Sequence, residues 1–263
     1  MSDNNQNPRV HSGSINEKAQ NSNAPLAKEG DIAVFRHRYR PYVSVNGVEV
    51  PIYNVSVGKR GERQYLEVYG NVAGRQLDPE MVLELMKGEA IELDFPSKNG
   101  GTYIASLVNG GVKTETIKTT AGVERSTSKL NLVKIGHLVN QNGEHFGYKV
   151  PTADRRQIEV QKYIRSHSLP AAPPIELDAR DCYTLVQGGE GTQIKTALGT
   201  VKMMGTKDKE VPGEKGVTVY THATLGIRYN PEIDKQLRAI ADAATQGEPQ
   251  GEQDEQEVPS VKP

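Results

Sequence analysis

The sequence lacks the residues and runs that mark several classes of protein. It contains no tryptophan and a single cysteine, Cys182, among 263 residues. One cysteine excludes a disulfide within the chain and any zinc site built from cysteines. No stretch approaches the roughly 18 consecutive apolar residues of a membrane-spanning helix, and the first residues contain no apolar core of a secretory signal. We therefore expect a cytoplasmic protein that does not enter a membrane.

Apolar and aromatic residues are also scarce. Hydrophobic residues make up 35% of the chain, and the aromatic residues are 11 tyrosines and 3 phenylalanines. This share predicts a real core that is diluted by disordered ends. Residues 1–30 and 246–263 are polar and show no apolar period, so we predict that both are disordered tails. Tyrosine is typical of half-buried strands and of wet binding surfaces.

Charge is unevenly distributed, although the formal net charge is only −1. Residues 241–263 contain six acidic residues and one lysine, whereas residues 111–170 contain ten basic and five acidic residues. A mildly basic body with an acidic tail is compatible with nucleic-acid binding. A solvated surface with a solubilising tail explains the same charges equally well. An acidic tail of this kind is also a candidate site for a protein partner.

The hydrophobic pattern predicts an α+β fold made mostly of antiparallel β-hairpins with a few short helices, in two lobes. Asn46-Gly47 lies between two alternating runs, which is the strongest short hairpin signal because both turn positions need a positive φ. Further hairpins are predicted within residues 52–70, 91–108 and 130–150.

The two predicted lobes meet at a proline-rich segment. Residues 168–175 contain three prolines and neither a helical nor a strand pattern, so they are typical of an extended linker. This linker separates a β-rich lobe of residues 31–169 from a second β-rich lobe of residues 170–245. The second lobe is predicted to end in a helix that begins at Pro231.

Helix signals are strong in one place and ambiguous elsewhere. Asp78 as N-cap and Pro79 at the first helical position predict a helix over residues 79–87. Residues 154–165 fit either a helix or a strand, since their periodicity does not decide. Residues 182–186, Cys-Tyr-Thr-Leu-Val, are predicted to form a strand.

Residues 72–107 combine that short helix with a hairpin in a recurring order. An Ala-Gly pair precedes a leucine that opens the helix, and a second leucine and a glycine end it. An apolar strand with a phenylalanine, a Ser-Lys-x-Gly turn and a strand with an aromatic residue and an alanine follow. The residues that carry this pattern are Ala73, Gly74, Leu77, Leu85, Gly88, Phe95, Ser97, Lys98, Gly100, Tyr103, Ala105 and Leu107. The pattern resembles the C-terminal repeat of type IA DNA topoisomerases, in a form without the cysteines of a zinc ribbon.

This resemblance implies a DNA-contacting module without strand-passage chemistry. The catalytic tyrosine and the acidic metal-binding domain of those enzymes have no recognisable counterpart in the chain. We therefore expect a non-enzymatic, nucleic-acid-binding accessory protein of DNA metabolism, encoded by a plasmid, phage or other mobile element. Its expected partner is DNA, single-stranded rather than duplex. A β-rich structural or protein-interaction module, such as a phage assembly factor, is the alternative.

The candidate nucleic-acid site is a segment in which cations alternate with rings. If residues 36–40 continue a strand, Arg36, Arg38 and Arg40 share one face at a spacing of about 6.6–6.8 Å and can follow phosphates. Tyr39 and Tyr42 then offer rings for bases. A charged edge strand that resists aggregation explains the same residues. Further candidate contacts are Lys59, Arg60, Arg63 and Lys98.

Other reactive residues give weaker signals. His137 and His145 flank the turn of the hairpin at 130–150 and are expected to pack across it. Two histidines without a carboxylate make a poor metal site, so we expect neither a metal nor a cofactor. The glycine-rich stretch 188–196 lacks the Gly-Lys-Ser/Thr junction of a phosphate-binding loop and is predicted to be a hairpin turn. Cys182 is predicted to be a buried apolar residue.

Overall fold

The computed structural model describes residues 24–59, 61–118, 124–166, 168–169, 172–213 and 216–246. Contacts divide this part of the chain into two compact units. The first comprises the described residues of 24–72, 76–86 and 112–130, and the second those of 73–75, 87–111 and 131–246. The sequence predicts a boundary at residue 170, but the described residues on both sides of it belong to the second unit.

Strands dominate the chain, and three helices lie among the described residues. The first half forms β1 (Ala27–Glu29), β2 (Ile32–Arg36), β3 (Tyr42–Val45), β4 (Val48–Val57), β5 (Gln64–Tyr69), β6 (Asn71–Val72), β7 (Arg75–Gln76), α1 (Pro79–Lys87), β8 (Ile91–Pro96) and β9 (Thr102–Lys118). The second half forms β10 (Glu124–Val139), β11 (His145–Pro151), β12 (Gln157–Gln161), β13 (Tyr163–Ile164), β14 (Ile175–Glu176), α2 (Ala179–Gly188), β15 (Gln193–Lys195), β16 (Gly199–Gly213), β17 (Gly216–Tyr229) and α3 (Pro231–Gln246).

The first unit is built on an antiparallel sheet in the order β1-β2-β4-β5, with β3 also paired to β4. The predicted hairpin turn at Asn46-Gly47 is confirmed, with φ values of 51° and 78°. One face of the sheet is buried, since Val34, Val55 and Val68 are fully inaccessible to solvent.

Residues 24–30 belong to this unit, which corrects the prediction that residues 1–30 form a disordered tail. β1 pairs with β2, and the Leu26 amide donates to the Val34 carbonyl at 2.7 Å. Main-chain hydrogen bonds of this kind cannot be predicted from the amino-acid composition of the segment. Residues 1–23 and 247–263 of the two predicted tails lie outside the described residues.

Helix α1 begins and ends where the sequence predicts. The Asp78 carboxylate accepts a hydrogen bond from the Met81 amide at 2.8 Å, as an N-cap does. Gly88 follows the helix with φ 94°, the left-handed conformation that ends many helices. The predicted hairpin over 91–108 is confirmed as β8 and β9, and Leu85 of the helix is fully buried.

The second unit pairs β8 with β9, and β10, β11 and β12 in antiparallel order. It continues through β17, β16 and β15, and the predicted hairpin within 130–150 is confirmed as β10 and β11. Among the described registers, β12 pairs with β17 and, in the first unit, β5 pairs with β10 in parallel rather than antiparallel order. The fold is therefore β-rich with three helices, and mostly but not wholly antiparallel.

Residues 182–186 form part of helix α2, so the predicted strand there is wrong. The Asp178 carboxylate accepts from the Asp181 amide at 2.7 Å and caps the helix. Its buried residues are spaced three or four apart, the period of one helix face. They are Ala179, Cys182, Leu185 and Val186. Cys182, Leu185 and Val186 of the predicted strand thus lie on the inner face of a helix, a pattern that short runs do not distinguish from a strand.

Residues 154–165 adopt the strand alternative, as β12 and β13, and not the helix. The turn before β12 places Arg155 at φ 68°, outside the helical region. The proline-rich segment 168–175 does not link two lobes, because Ala172 and Ile175 are buried in the core of the second unit. Helix α3 begins at Pro231 as predicted, and no helix of the described residues is long and apolar enough to cross a membrane.

Candidate nucleic-acid interface

The predicted row of three arginines is not formed, because β2 ends at Arg36. Residues 37–41 form a loop. The main-chain carbonyl and amide of Ile52, on the neighbouring strand β4, each hydrogen-bond to one end of this loop. The His37 amide donates to the Ile52 carbonyl at 3.0 Å, and the Ile52 amide donates to the Pro41 carbonyl at 2.9 Å. The five residues between these bonds bulge out of the sheet, so Arg38 and Arg40 do not share a strand face with Arg36.

Two residues of this loop are anchored on Glu67 of β5. The Arg40 guanidinium lies 3.2 Å from one carboxylate oxygen of Glu67, and His37 Nε2 lies 3.3 Å from the other. His37 Nδ1 accepts from the Arg40 amide at 3.0 Å, so Nε2 carries the proton that faces Glu67. Glu67 is mostly buried, with 14% of its side chain exposed. Arg40 therefore stabilises the loop and is not free to follow a phosphate.

The other two arginines lie against tyrosine rings. The Arg36 guanidinium is 5.4 Å from the centroid of Tyr42, and that of Arg38 is 5.5 Å from the centroid of Tyr39. Tyr39 is 85% exposed. In the part of the chain that the structure describes, no carboxylate forms an ion pair with Arg36 or Arg38. Both cations are thus available to an anionic ligand beside an accessible ring.

A second group of rings lies on β5, and sequence reasoning missed it. Tyr65, Glu67 and Tyr69 alternate along the strand and therefore share one face. Lys129 of β10 pairs with Glu67 in parallel register, and its ammonium lies 5.2 Å from the centroid of Tyr69. A hydrogen bond to Glu115 raises the pKa of Lys129, so the side chain stays charged. The alternation in Gln-Tyr-Leu-Glu-Val-Tyr was the signal that could have revealed this face.

The cations of the β4–β5 turn do not join the loop. Lys59 and Arg63 are exposed, but the turn lies beside Asp31, where the Gly58 amide donates to the Asp31 carbonyl at 3.2 Å. The loop 37–41 follows the other end of β2. The rise per residue of a strand makes β2 long enough to separate this loop from the β4–β5 turn by about 13–17 Å. Arg60 lies outside the described residues, and Lys98 is exposed in a turn of the second unit.

The second unit contains three side chains whose metal-ligating atoms lie within 4.8 Å of one another: Glu92, His137 and His145. The two histidine rings stack, as predicted, with centroids 3.9 Å apart and planes 3° apart. Burial lowers the pKa of both histidines, and the neighbouring His145 lowers that of His137 further. The sequence did not place a carboxylate beside them, because Glu92 comes from a strand about 45 residues earlier.

Two other predicted features are plainly structural. Cys182 is fully buried, and burial strongly raises the pKa of its thiol, so it is no nucleophile. The glycine-rich stretch connects α2 to β15 through Gly189 and Gly191, both with positive φ. It forms a turn between a helix and a strand, so the predicted hairpin turn is wrong.

Searches with protein-family models, curated proteins and solved structures found no match to this chain. The residues that carry the resemblance to the topoisomerase repeat have clear structural roles. Leu77, Leu85 and Phe95 are buried, and Gly88 and Gly100 occupy positive-φ turns. These roles explain the pattern as packing and turn chemistry, and a relationship to topoisomerases stays a hypothesis.

Proposed function

We propose that the first unit binds single-stranded DNA and that the protein acts without enzymatic activity, as an accessory factor of DNA metabolism. The observation that carries this proposal is the pairing of Arg38 with Tyr39, an unpaired cation beside a ring that is 85% exposed. Single-stranded nucleic acid is bound by cations that follow phosphates and by rings that stack on bases.

The position of these residues supports the proposal in a second way. Hydrogen bonds to Ile52 and the ion pair with Glu67 fix the loop 37–41. Arg38 and Tyr39 therefore lie on a defined turn rather than on a flexible segment. Ordering such a loop before binding reduces the entropy that binding must overcome. Arg36 with Tyr42 adds a second cation and ring next to the first.

Single strands are favoured over duplex because the rings need base faces. In a duplex the bases are stacked on one another, whereas a single strand exposes them to tyrosine. The resemblance of residues 72–107 to a topoisomerase repeat supports DNA as the partner and a plasmid, phage or other mobile element as the source. Lys59, Arg60, Arg63 and Lys98 are peripheral in this proposal, and Arg40 positions the loop.

The test is a titration of fluorescein-labelled oligothymidylate, and of a duplex of equal length, followed by anisotropy at several salt concentrations. We expect the double variant Arg36→Ala/Arg38→Ala to lower the log–log salt slope for the single strand by about 1.4, which corresponds to two phosphates. The matched control is Lys202→Ala/Arg228→Ala, which removes two exposed cations of the second unit. An equal loss in the control, or no binding by the unmodified protein at low salt, would overturn the proposal.

One observation favours a protein-interaction module as the second candidate. The outer part of the β16–β17 hairpin is exposed on both of its faces. Val217 and Val219 are 61% and 55% exposed, and they share one face of the hairpin with Pro212 and Glu210. An apolar strip on a projecting hairpin is typical of surfaces that meet another protein. Loss of self-association or of partner capture in Val217→Thr/Val219→Thr, with DNA binding absent, would favour this alternative.

A further inference from the structure

The second unit aligns four polar or aromatic side chains across four neighbouring strands. Glu92 of β8 is the cross-strand partner of Ser106 of β9, and His137 of β10 is the partner of Tyr148 of β11. A hydrogen bond of 2.8 Å between Ser106 Oγ and His137 Nε2 joins the two pairs. The carboxylate of Glu92 lies 3.7 Å from the same nitrogen. The row therefore brings a carboxylate and an imidazole together from strands far apart in sequence.

A β-bulge adds His145 to this row. The register of β10 and β11 runs from His137↔Tyr148 to Val139↔His145, so Phe146 is left without a partner. In a regular ladder Val139 would face Phe146, and His145 would point to the opposite side of the sheet. The bulge turns His145 onto the face of His137, where the two rings stack. Bulges are known to re-aim side chains beside functional sites.

The hydrogen bond of His145 leaves one of its nitrogens for a ligand. His145 Nε2 donates to the Gly147 carbonyl at 2.9 Å, so its Nδ1 is the unprotonated nitrogen. A metal-binding histidine typically fixes its other nitrogen in this way on a backbone carbonyl. Gly147 must lack a side chain, since a Cβ there would lie 2.5 Å from the Val160 carbonyl oxygen. The backbone that holds His145 is thus sterically specified.

We propose that Glu92, His137 and His145 form a binding site for a divalent transition metal, of which Zn²⁺ is the best fit. Imidazole nitrogens and a carboxylate oxygen are ligands that Zn²⁺ prefers. Atoms bound to one tetrahedral ion with bonds of 2.0–2.1 Å lie about 3.3–3.4 Å apart, so the 3.7 Å between Glu92 and His137 needs little closure. The two stacked imidazoles must turn out of their parallel planes for both rings to bind one ion, because a ring nitrogen binds a metal in the plane of its ring.

The residues around the site determine how solvent reaches the metal and which charges act on it. The Tyr148 ring lies perpendicular to both imidazoles, with centroids 5.4 Å and 4.6 Å away, and walls the site on one side. The Glu92 side chain is 61% exposed, so the metal is reached from solvent and the fourth ligand is water. Ser106 Oγ lies 2.8 Å from His137 Nε2 and must give up that hydrogen bond when the nitrogen binds the metal, which frees the hydroxyl to hydrogen-bond the water. Lys162, a cation whose charge acts on both histidines, is paired with Glu176 at 3.1 Å, which offsets its repulsion of a metal ion.

The test is calorimetric titration of the tag-free, EDTA-treated and dialysed full chain with Zn²⁺ at neutral pH. We expect one Zn²⁺ per chain, and Co²⁺ should give the visible absorption of a four-coordinate site. Glu92→Gln and His137→Gln should each weaken binding at least about tenfold, the loss that follows removal of even a group that only orients a ligand. The matched control is His222→Gln, a histidine of the same unit that is paired with Glu159, and it should bind Zn²⁺ like the unmodified chain.

Glu92→Gln decides the proposal even where His137→Gln fails to fold, because Glu92 is exposed and its loss does not disturb the core. Thermal unfolding followed by circular dichroism identifies a folding failure. The proposal is overturned if the unmodified chain shows no saturable binding. It is also overturned if Glu92→Gln retains full affinity or if His222→Gln loses as much affinity as Glu92→Gln.

Discussion

Arg40 and Glu67, 27 residues apart in the chain, form an ion pair at 3.2 Å that fastens the loop 37–41 to the middle of β5. The pair distinguishes an arginine that stabilises the loop from one that is available to a ligand, although the sequence makes the two look alike. Arg36, Arg38 and Arg40 are equivalent in an alternating segment, but the structure ties Arg40 to a carboxylate and leaves Arg38 beside an exposed ring.

Replacing Arg38 and Arg40 by alanine should therefore have different effects. Arg38→Ala should lower the salt slope of single-stranded DNA binding by about 0.7 and leave stability unchanged. Arg40→Ala should reduce the free energy of unfolding by about 0.5 kcal/mol, the contribution of a partly exposed ion pair, and leave the slope nearly unchanged. Urea unfolding and salt-dependent anisotropy measure the two quantities. A lower slope in Arg40→Ala would place that residue on a phosphate after all.

Tyr39 should contribute to binding through its ring. Tyr39→Ala should weaken binding of single-stranded DNA by about 1–3 kcal/mol, while Tyr39→Phe should keep most of the affinity because stacking needs only the ring. A matched control exists in the second unit, where Lys162 lies 5.3 Å from the ring of Tyr163, which is 45% exposed. If Tyr163→Ala lost as much affinity as Tyr39→Ala, stacking by the loop would not explain binding.

Leu85 tests the packing of helix α1. Its side chain is fully buried, so Leu85→Ala should cost about 2–5 kcal/mol in the free energy of unfolding. Glu84→Ala, one residue earlier on the exposed side of the helix, should change stability by less than about 0.5 kcal/mol. Chemical denaturation measures both, and a similar small loss in the two variants would contradict the burial of Leu85.

The single cysteine should be unreactive toward thiol reagents in the folded protein. Cys182 is fully buried in helix α2, and desolvation keeps its thiol protonated by raising the pKa well above the usual value. A disulfide reagent such as DTNB should react slowly with the native chain at pH 8 and rapidly in denaturing urea, because the thiolate is the reactive form. Fast labelling without denaturant would show that α2 opens readily or is not packed as described.

Turns and helix starts could be predicted from the sequence wherever residues adjacent in the chain determine the local structure. Asn46-Gly47 and Asp78-Pro79 specified a turn and a helix start without help from the rest of the chain. The prediction for residues 182–186 was wrong because a short, mostly apolar run fits both a strand and one side of a helix. The signal that decides, the Asp178 cap, lies outside the run.

The sites themselves depend on contacts that are distant in sequence. Glu67 approaches the loop only because β4 and β5 fold back on β2, and Glu92 approaches His137 only through β9. The bulge that leaves Phe146 unpaired reverses the side to which His145 points. Alternation along a single strand cannot reveal such a reversal, since it assumes a regular ladder.

The acidic C-terminal segment should compete with DNA. Residues 247–263 contain five acidic residues and one lysine, and they follow the last residue of α3. Ending the chain at Gln246 should leave the unfolding transition unchanged, because this segment has almost no apolar residues to bury. It should also tighten binding of single-stranded DNA at low salt, and the gain should vanish as salt screens the tail from Arg36 and Arg38. The control keeps the full length but replaces the five acidic residues by glutamine or asparagine, and it should match the shortened chain. If only the shortened chain bound more tightly, the tail would act by steric obstruction, and unchanged affinity in both would remove it from DNA binding and leave a protein partner as its expected role.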